Sequence, residues 1–186
     1  MFNFLLPGST HFEPGRYGAT QEEIEAFFVN DAQFANSSTR SAIWTEWKIA
    51  TEFLSNFIPI ACVWLAGSFA SLKLDPSDID CLYWIKAEDI AKAKVEIPEA
   101  SQVIEIFSKS QVKNSYNLRV DSYIATWRPI PEPKYADYLD EEYYLLRGHW
   151  DDFWQRNRFT PEHLTPTIDD TFPRRGYLEV KFNGFE

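Results

Sequence analysis

The segment WLAGSFASLKLDPSDIDCLYWI, residues 64–85, sets Asp78 and Asp80 at the head of a strongly apolar run. Aspartate is disfavoured in a sheet, and two on one face repel each other. Side chains two apart on a strand share a face, so these carboxylates are expected side by side. Both stay ionised at low cost only when a cation lies between them. Carboxylate oxygens suit Mg²⁺ or Mn²⁺. Asp121, flanked by apolar residues in LRVDSYIA, is the candidate third carboxylate, on the strand expected beside 78–85. Gly67-Ser68 ends the preceding apolar run and offers unhindered amides and a hydroxyl. A helical turn beginning within Phe69–Leu72 would turn its amino end toward phosphate, and Lys73 is a further phosphate contact. The pattern predicts a metal on Asp78, Asp80 and Asp121, and a triphosphate on Gly67, Ser68 and Lys73.

Plainer accounts exist for each residue. DPSDID reads as a turn capped by Asp75 and Ser77 and bent by Pro76, which leaves Asp80 inside an apolar strand unexplained. Asp121 has Arg119 or Lys113 as alternative ion-pair partners. Lys73 is also readable as a solvated loop lysine. Arg156 and Arg158 are candidate substrate contacts in an aromatic-rich helical segment with His149. Pairing of an arginine with Asp151 or Asp152 on the same helix is the simpler account. A calcium loop fits worse, because the run lacks the required glycine and terminal glutamate.

The positioning elements follow from periodicity. Residues 1–19 read as an extended arm. Thr20-Gln21-Glu22-Glu23 is a capping box opening a helix to about Asn30. Ile43, Trp47, Ala50, Phe53, Leu54 and Phe57 recur at helical spacing over 40–57, with Trp44 also on the core side. IPIACVWLA is a buried strand, and a second strand spans 78–85. Residues 87–108 are helical and split at Pro98. A third strand is expected over 116–127, followed by the stiff connector RPIPEP. One or two helices fill 135–158. GYLEVKF, 176–182, alternates as an edge strand. This order predicts one α/β (α+β) domain over residues 1–186, a small mixed sheet with helices on one side and a helical, strand-ending tail over 135–186.

Composition narrows the partners. The chain has 186 residues, 45% of them hydrophobic and 17% aromatic, and a formal net charge of −10. Such acidity disfavours a broad grip on duplex nucleic acid, but not a phosphate ligand whose charge a metal neutralises. Cys62 and Cys81 fall inside strands and read as buried hydrophobes of a reducing compartment. The amino terminus lacks a signal-peptide pattern, and no apolar run is long enough for a membrane span, so a cytoplasmic protein is expected.

The apolar strand, Gly67-Ser68, nine intervening residues, Asp78-Ile79-Asp80 and the later Asp121 resemble the nucleotidyltransferase signature of the polymerase-beta superfamily. The nearest likeness is to its minimal, single-domain bacterial members. More narrowly, the chain resembles a bacterial family of uncharacterised nucleotidyltransferase-like proteins through LLPGSTHFEPG, EIEAFFV, WLAGSFASLKLDPSDID, HWDDFWQRNR and PRRGYLEVKF. That resemblance implies a small mixed sheet flanked by helices. It implies metal binding by Asp78 and Asp80, and by Asp121 a further part in activating the attacking hydroxyl. It also implies a nucleoside triphosphate, ATP by default, and an RNA or protein acceptor. A toxin, defence or toxin–antitoxin setting with a cognate partner follows from the same likeness. A non-catalytic binding module of the same fold is the alternative. The chain departs from the family pattern at Arg174 and Arg175, where a lysine is usual.

Overall fold

The structure is a computed structural model that describes residues 9–132, 134, 137–161 and 163–182, with Leu139 by its backbone only. The start of the expected arm, residues 1–8, lies outside the described residues. The arm's described part carries a short strand, β1 (Gly15–Gly18). The capping box forms as read: Glu23 N donates to Thr20 Oγ1 at 3.2 Å and Thr20 N to Glu23 Oε2 at 2.9 Å, opening α1 (Gln21–Phe28). α2 (Arg40–Ser55) buries Ile43, Trp44, Trp47, Ala50 and Leu54, the apolar stripe that spacing predicts. β2 (Cys62–Ala66) and β3 (Ile79–Lys86) follow. Pro98 lies between α3 (Ala87–Glu96) and α4 (Ala100–Ser108), as its missing amide requires.

The third strand, β4 (Val120–Trp127), begins later than 116. Residues before it form a helical turn, α5 (Val112–Tyr116), closed by Asn117 in the left-handed conformation at φ 56°. After the proline-rich connector comes α6 (Tyr138–Gln155), then β5 (Gly176–Lys181).

The five strands form one mixed sheet in the order β1-β5-β2-β3-β4. β1 runs parallel to β5 and β3 parallel to β4, while β2 is antiparallel to both β5 and β3. Two expectations change. β5 is an interior strand rather than an edge, because β1 pairs with its outer side. Helices cover both faces rather than one. Val63, Leu65, Cys81, Tyr83, Leu178 and Val180 face a core that includes residues of α1, α2 and α4. Trp64, Ala66, Leu82, Trp84 and Tyr177 face Tyr143 and Trp154 of α6. Strands β2 and β3 are apolar at nearly every position, the mark of a strand buried on both sides. Among the described residues no helix is long and apolar enough to cross a membrane.

Candidate active site

Strand register brings two of the three sequence-predicted carboxylates, Asp80 and Asp121, side by side. Asp80 stands opposite Ala66 of β2 and directly beside Asp121 of β4. By alternation both carboxylates lie on the α6 face of the sheet, with Leu82 and Tyr123. Asp78 precedes β3 by one residue, and its Oδ1 accepts from Ser77 Oγ at 3.0 Å. Asp121 Oδ1 accepts from Ser110 Oγ, whose own backbone amide donates to Ser122 O at 3.1 Å.

Gly67 is required on two counts. Its φ is +69°, a conformation that favours glycine, and a Cβ there would stand 1.6 Å from Asp80 Oδ2. The Asp80 carboxyl is therefore seated in the space a side chain would fill. Its pKa is pushed up to about 6, first by burial and then by the charges of Asp121 and Asp78, with Arg175 opposing. The Tyr123 phenol is also raised, by burial and by Asp121. Its ring meets Trp150 of α6 at 4.9 Å between centroids, which walls the site on one side.

Arg175 is the cation of this site. Its Nε donates to Trp154 O at 3.1 Å, and the amides of Arg174 and Arg175 donate to Gln155 O, so the chain before β5 caps the carboxyl end of α6. Burial lowers the Arg175 pKa and the Asp80 charge raises it. His11 belongs to the same neighbourhood: burial and then the Arg175 charge lower its pKa. Its strand of chain is tied down at both ends, through Leu72 N to Thr10 O at 2.8 Å and Gly176 N to Phe12 O at 3.1 Å.

The loop between Gly67 and Asp78 is organised by Arg40, a fully buried arginine. Its Nη1 donates to Phe28 O and Phe69 O at 3.2 and 2.9 Å, and its Nη2 to Ser71 O and Lys73 O at 2.7 and 2.5 Å. The guanidinium also lies 3.9 Å from the Phe34 ring centroid. Burial pushes its pKa down to about 10, against the charge of Asp75. Asp75 serves a distant segment rather than its own turn: its Oδ1 accepts from Ser38 N at 2.7 Å.

Several expectations fare differently. Residues 67–70 form a turn in which no helix begins, so the helix-end phosphate site expected at Phe69–Leu72 does not form. Phe69 is instead buried in the core, and Ser71 Oγ donates to Ser68 O at 2.7 Å. Lys73 is exposed, and its carbonyl is the group that Arg40 holds. Arg119 pairs with Glu46 at 2.6 Å, so it is not the partner of Asp121. Arg156 pairs with Asp152 one turn earlier on α6, and Arg158 donates to the carbonyls of Thr160, Pro161 and Leu164. Both arginines are thus engaged locally, away from any contact with the three aspartates that the described residues show.

Among the described residues no three His, Cys, Asp or Glu side chains are already grouped to hold a metal ion. The donor set nonetheless fits a hard divalent cation. Asp80 and Asp121 are neighbours, Asp80 carries surplus negative charge around it, and the polar groups are carboxylates and hydroxyls. The match to known proteins is at family level and covers residues 6–181. The chain belongs to DUF6932, a family of unknown function. No curated protein and no solved structure matches this DUF6932 chain.

Proposed function

We propose that the protein is a metal-dependent nucleotidyltransferase that moves a nucleoside monophosphate from a nucleoside triphosphate, ATP by default, to a hydroxyl of an RNA or protein acceptor. The observation that carries this reading is the seating of Asp80 against Gly67 with Asp121 beside it on the paired strand. The resemblance to the polymerase-beta superfamily implies metal binding by these aspartates. Asp78, Asp80 and Asp121 would hold Mg²⁺ or Mn²⁺, which when bound supplies charge neutralisation at the reacting phosphate.

In this reading the acceptor oxygen forms a bond to the α-phosphorus as the bond to the pyrophosphate oxygen breaks. Asp121 takes the acceptor's proton, with Ser110 fixing its Oδ1. Asp80 must be ionised to act, which its pKa of about 6 permits at neutral pH. The backbone at Gly67 and Ser68 meets the outer phosphates, and Arg175 adds the positive charge that the expected helix end and the exposed Lys73 do not. Trp150 and Tyr123 limit water on the α6 side. The buried free thiols of Cys62 and Cys81 fit a cytoplasmic setting. A toxin or phage-defence role with a cognate partner protein belongs to the same reading.

Calorimetric titration with Mn²⁺ tests the site. The wild type is expected to bind, and the Asp78→Asn/Asp80→Asn double variant to lose binding while staying folded. Unchanged affinity in the double variant would overturn the metal assignment and leave a non-catalytic binding module of the same fold.

A further inference from the structure

A charged pocket lies between α6 and β1. Its cavity, about 370 Å³, is lined by Arg16, Tyr144, Arg147, Gly148 and Asp151. Arg147 is half-buried, with its guanidinium 5.5 Å from the Trp64 ring centroid and 5.9 Å from those of Trp84 and Tyr143. It donates to Tyr143 Oη at 3.0 Å, and among the described residues no carboxylate pairs with it. A half-buried guanidinium with N–H donors beyond its one protein acceptor can receive an anion from outside.

Arg16 reaches the same pocket, 5.3 Å from the Trp64 centroid. It pairs with Glu179 Oε1 at 3.6 Å, and that oxygen also accepts from Trp64 Nε1 at 2.9 Å. Asp151, the pocket's own carboxylate, is turned to other donors: Tyr177 Oη to one oxygen and Gln155 Nε2 to the other. Among the described residues Arg147 makes one protein hydrogen bond and Arg16 an ion pair at 3.6 Å, so both guanidinium groups keep N–H donors for the cavity.

We propose that this pocket binds a single phosphomonoester group. Guanidinium forks match phosphate oxygens, and Arg147 has no carboxylate partner of its own among the described residues. The net charge of −10 repels a longer run of phosphates, so one terminal phosphate is the fitting ligand. The site is separate from the aspartates: Arg16 pairs with Tyr177, and Asp80 lies three strands away from β1, about 14 Å at ordinary strand spacing. The inference goes beyond the transferase reading and does not need it.

The test is calorimetry of the full chain in metal-free buffer with inorganic phosphate, a short 5′-phosphorylated oligoribonucleotide and its unphosphorylated counterpart. The phosphorylated probe is expected to bind about tenfold or more tighter than the unphosphorylated one. Arg147→Gln should remove that difference. Gly148 has open space where a Cβ would stand, so Gly148→Ala should keep it and Gly148→Glu, which adds a carboxylate at the cavity wall, should abolish it. Asp80→Asn should keep it, which separates this site from the aspartates. Inorganic phosphate binding as tightly as the oligonucleotide supports a site for the phosphate group alone, and a tighter oligonucleotide supports an RNA end. Equal binding of both oligonucleotides overturns the proposal. So does a Gly148→Glu protein that binds like Gly148→Ala, which keeps the test decisive if Arg147→Gln fails to fold.

Discussion

Asp80 is a group whose native pKa lies above its unfolded value, so the native state prefers the protonated form. Its contribution is therefore least unfavourable below about pH 4, where both states are protonated. It turns unfavourable as pH rises toward its native pKa of about 6, and remains so above it. Asp80→Asn should then stabilise the metal-free protein at pH 7 by about 1–3 kcal/mol. That gain should shrink toward zero near pH 4. Urea unfolding across this range checks both, and a variant less stable than wild type at pH 7 would contradict the account. Gly67→Ala should act the other way, costing about 1–3 kcal/mol in backbone strain before its clash with Asp80 is counted. Denaturation midpoints at one pH measure it. The juxtaposition of Asp80 and Asp121 was legible because carboxylates in apolar strands are anomalous. Arg40 and Arg175 were not, since their partners are backbone carbonyls and a distant carboxylate that only the fold supplies.

At the scale of elements, the clamp between α2 and the Gly67–Asp78 loop makes the sharpest claim. Arg40→Met removes the donor from the carbonyls of Phe28, Phe69, Ser71 and Lys73, and should cost about 3 kcal/mol or more. Chemical denaturation reads the loss, and a change under about 1 kcal/mol would show that the loop holds itself. In α6, Gly148→Ala should stabilise by about 0.8–1 kcal/mol, since the Cβ meets nothing and glycine is a poor helix former. Helix stripes, the Thr20 cap and the break at Pro98 could be read from periodicity and cap chemistry. The interior position of β5 could not. Its alternation puts Glu179 on one face, which reads as solvent-facing. In the fold Trp64 Nε1 and Arg16 satisfy that carboxylate, and it is buried. The second helical face was marked by Trp64 and Trp84 among the apolar strand residues, but periodicity does not say which helix covers them.

For the whole molecule, charge distribution bears on the acceptor. Residues 145–186 carry six Lys and Arg against seven Asp and Glu, while the remainder carries twelve against twenty-one. A nearly neutral tail beside an acidic body suits a small contact, such as an RNA end or a protein hydroxyl, better than a long duplex. Acceptor binding should therefore weaken only shallowly with salt, because few phosphates are neutralised. Transfer of a nucleotidyl group at the aspartates can be followed by label transfer. The protein would be incubated with Mg²⁺ or Mn²⁺, total cellular RNA and protein, and ATP labelled at either the α- or the γ-phosphate, with the other nucleoside triphosphates in parallel. The α-label alone should enter RNA or protein, and Asp121→Asn should abolish the transfer while remaining folded. Uptake of γ-label, or undiminished α-labelling by the Asp121→Asn protein, would contradict it.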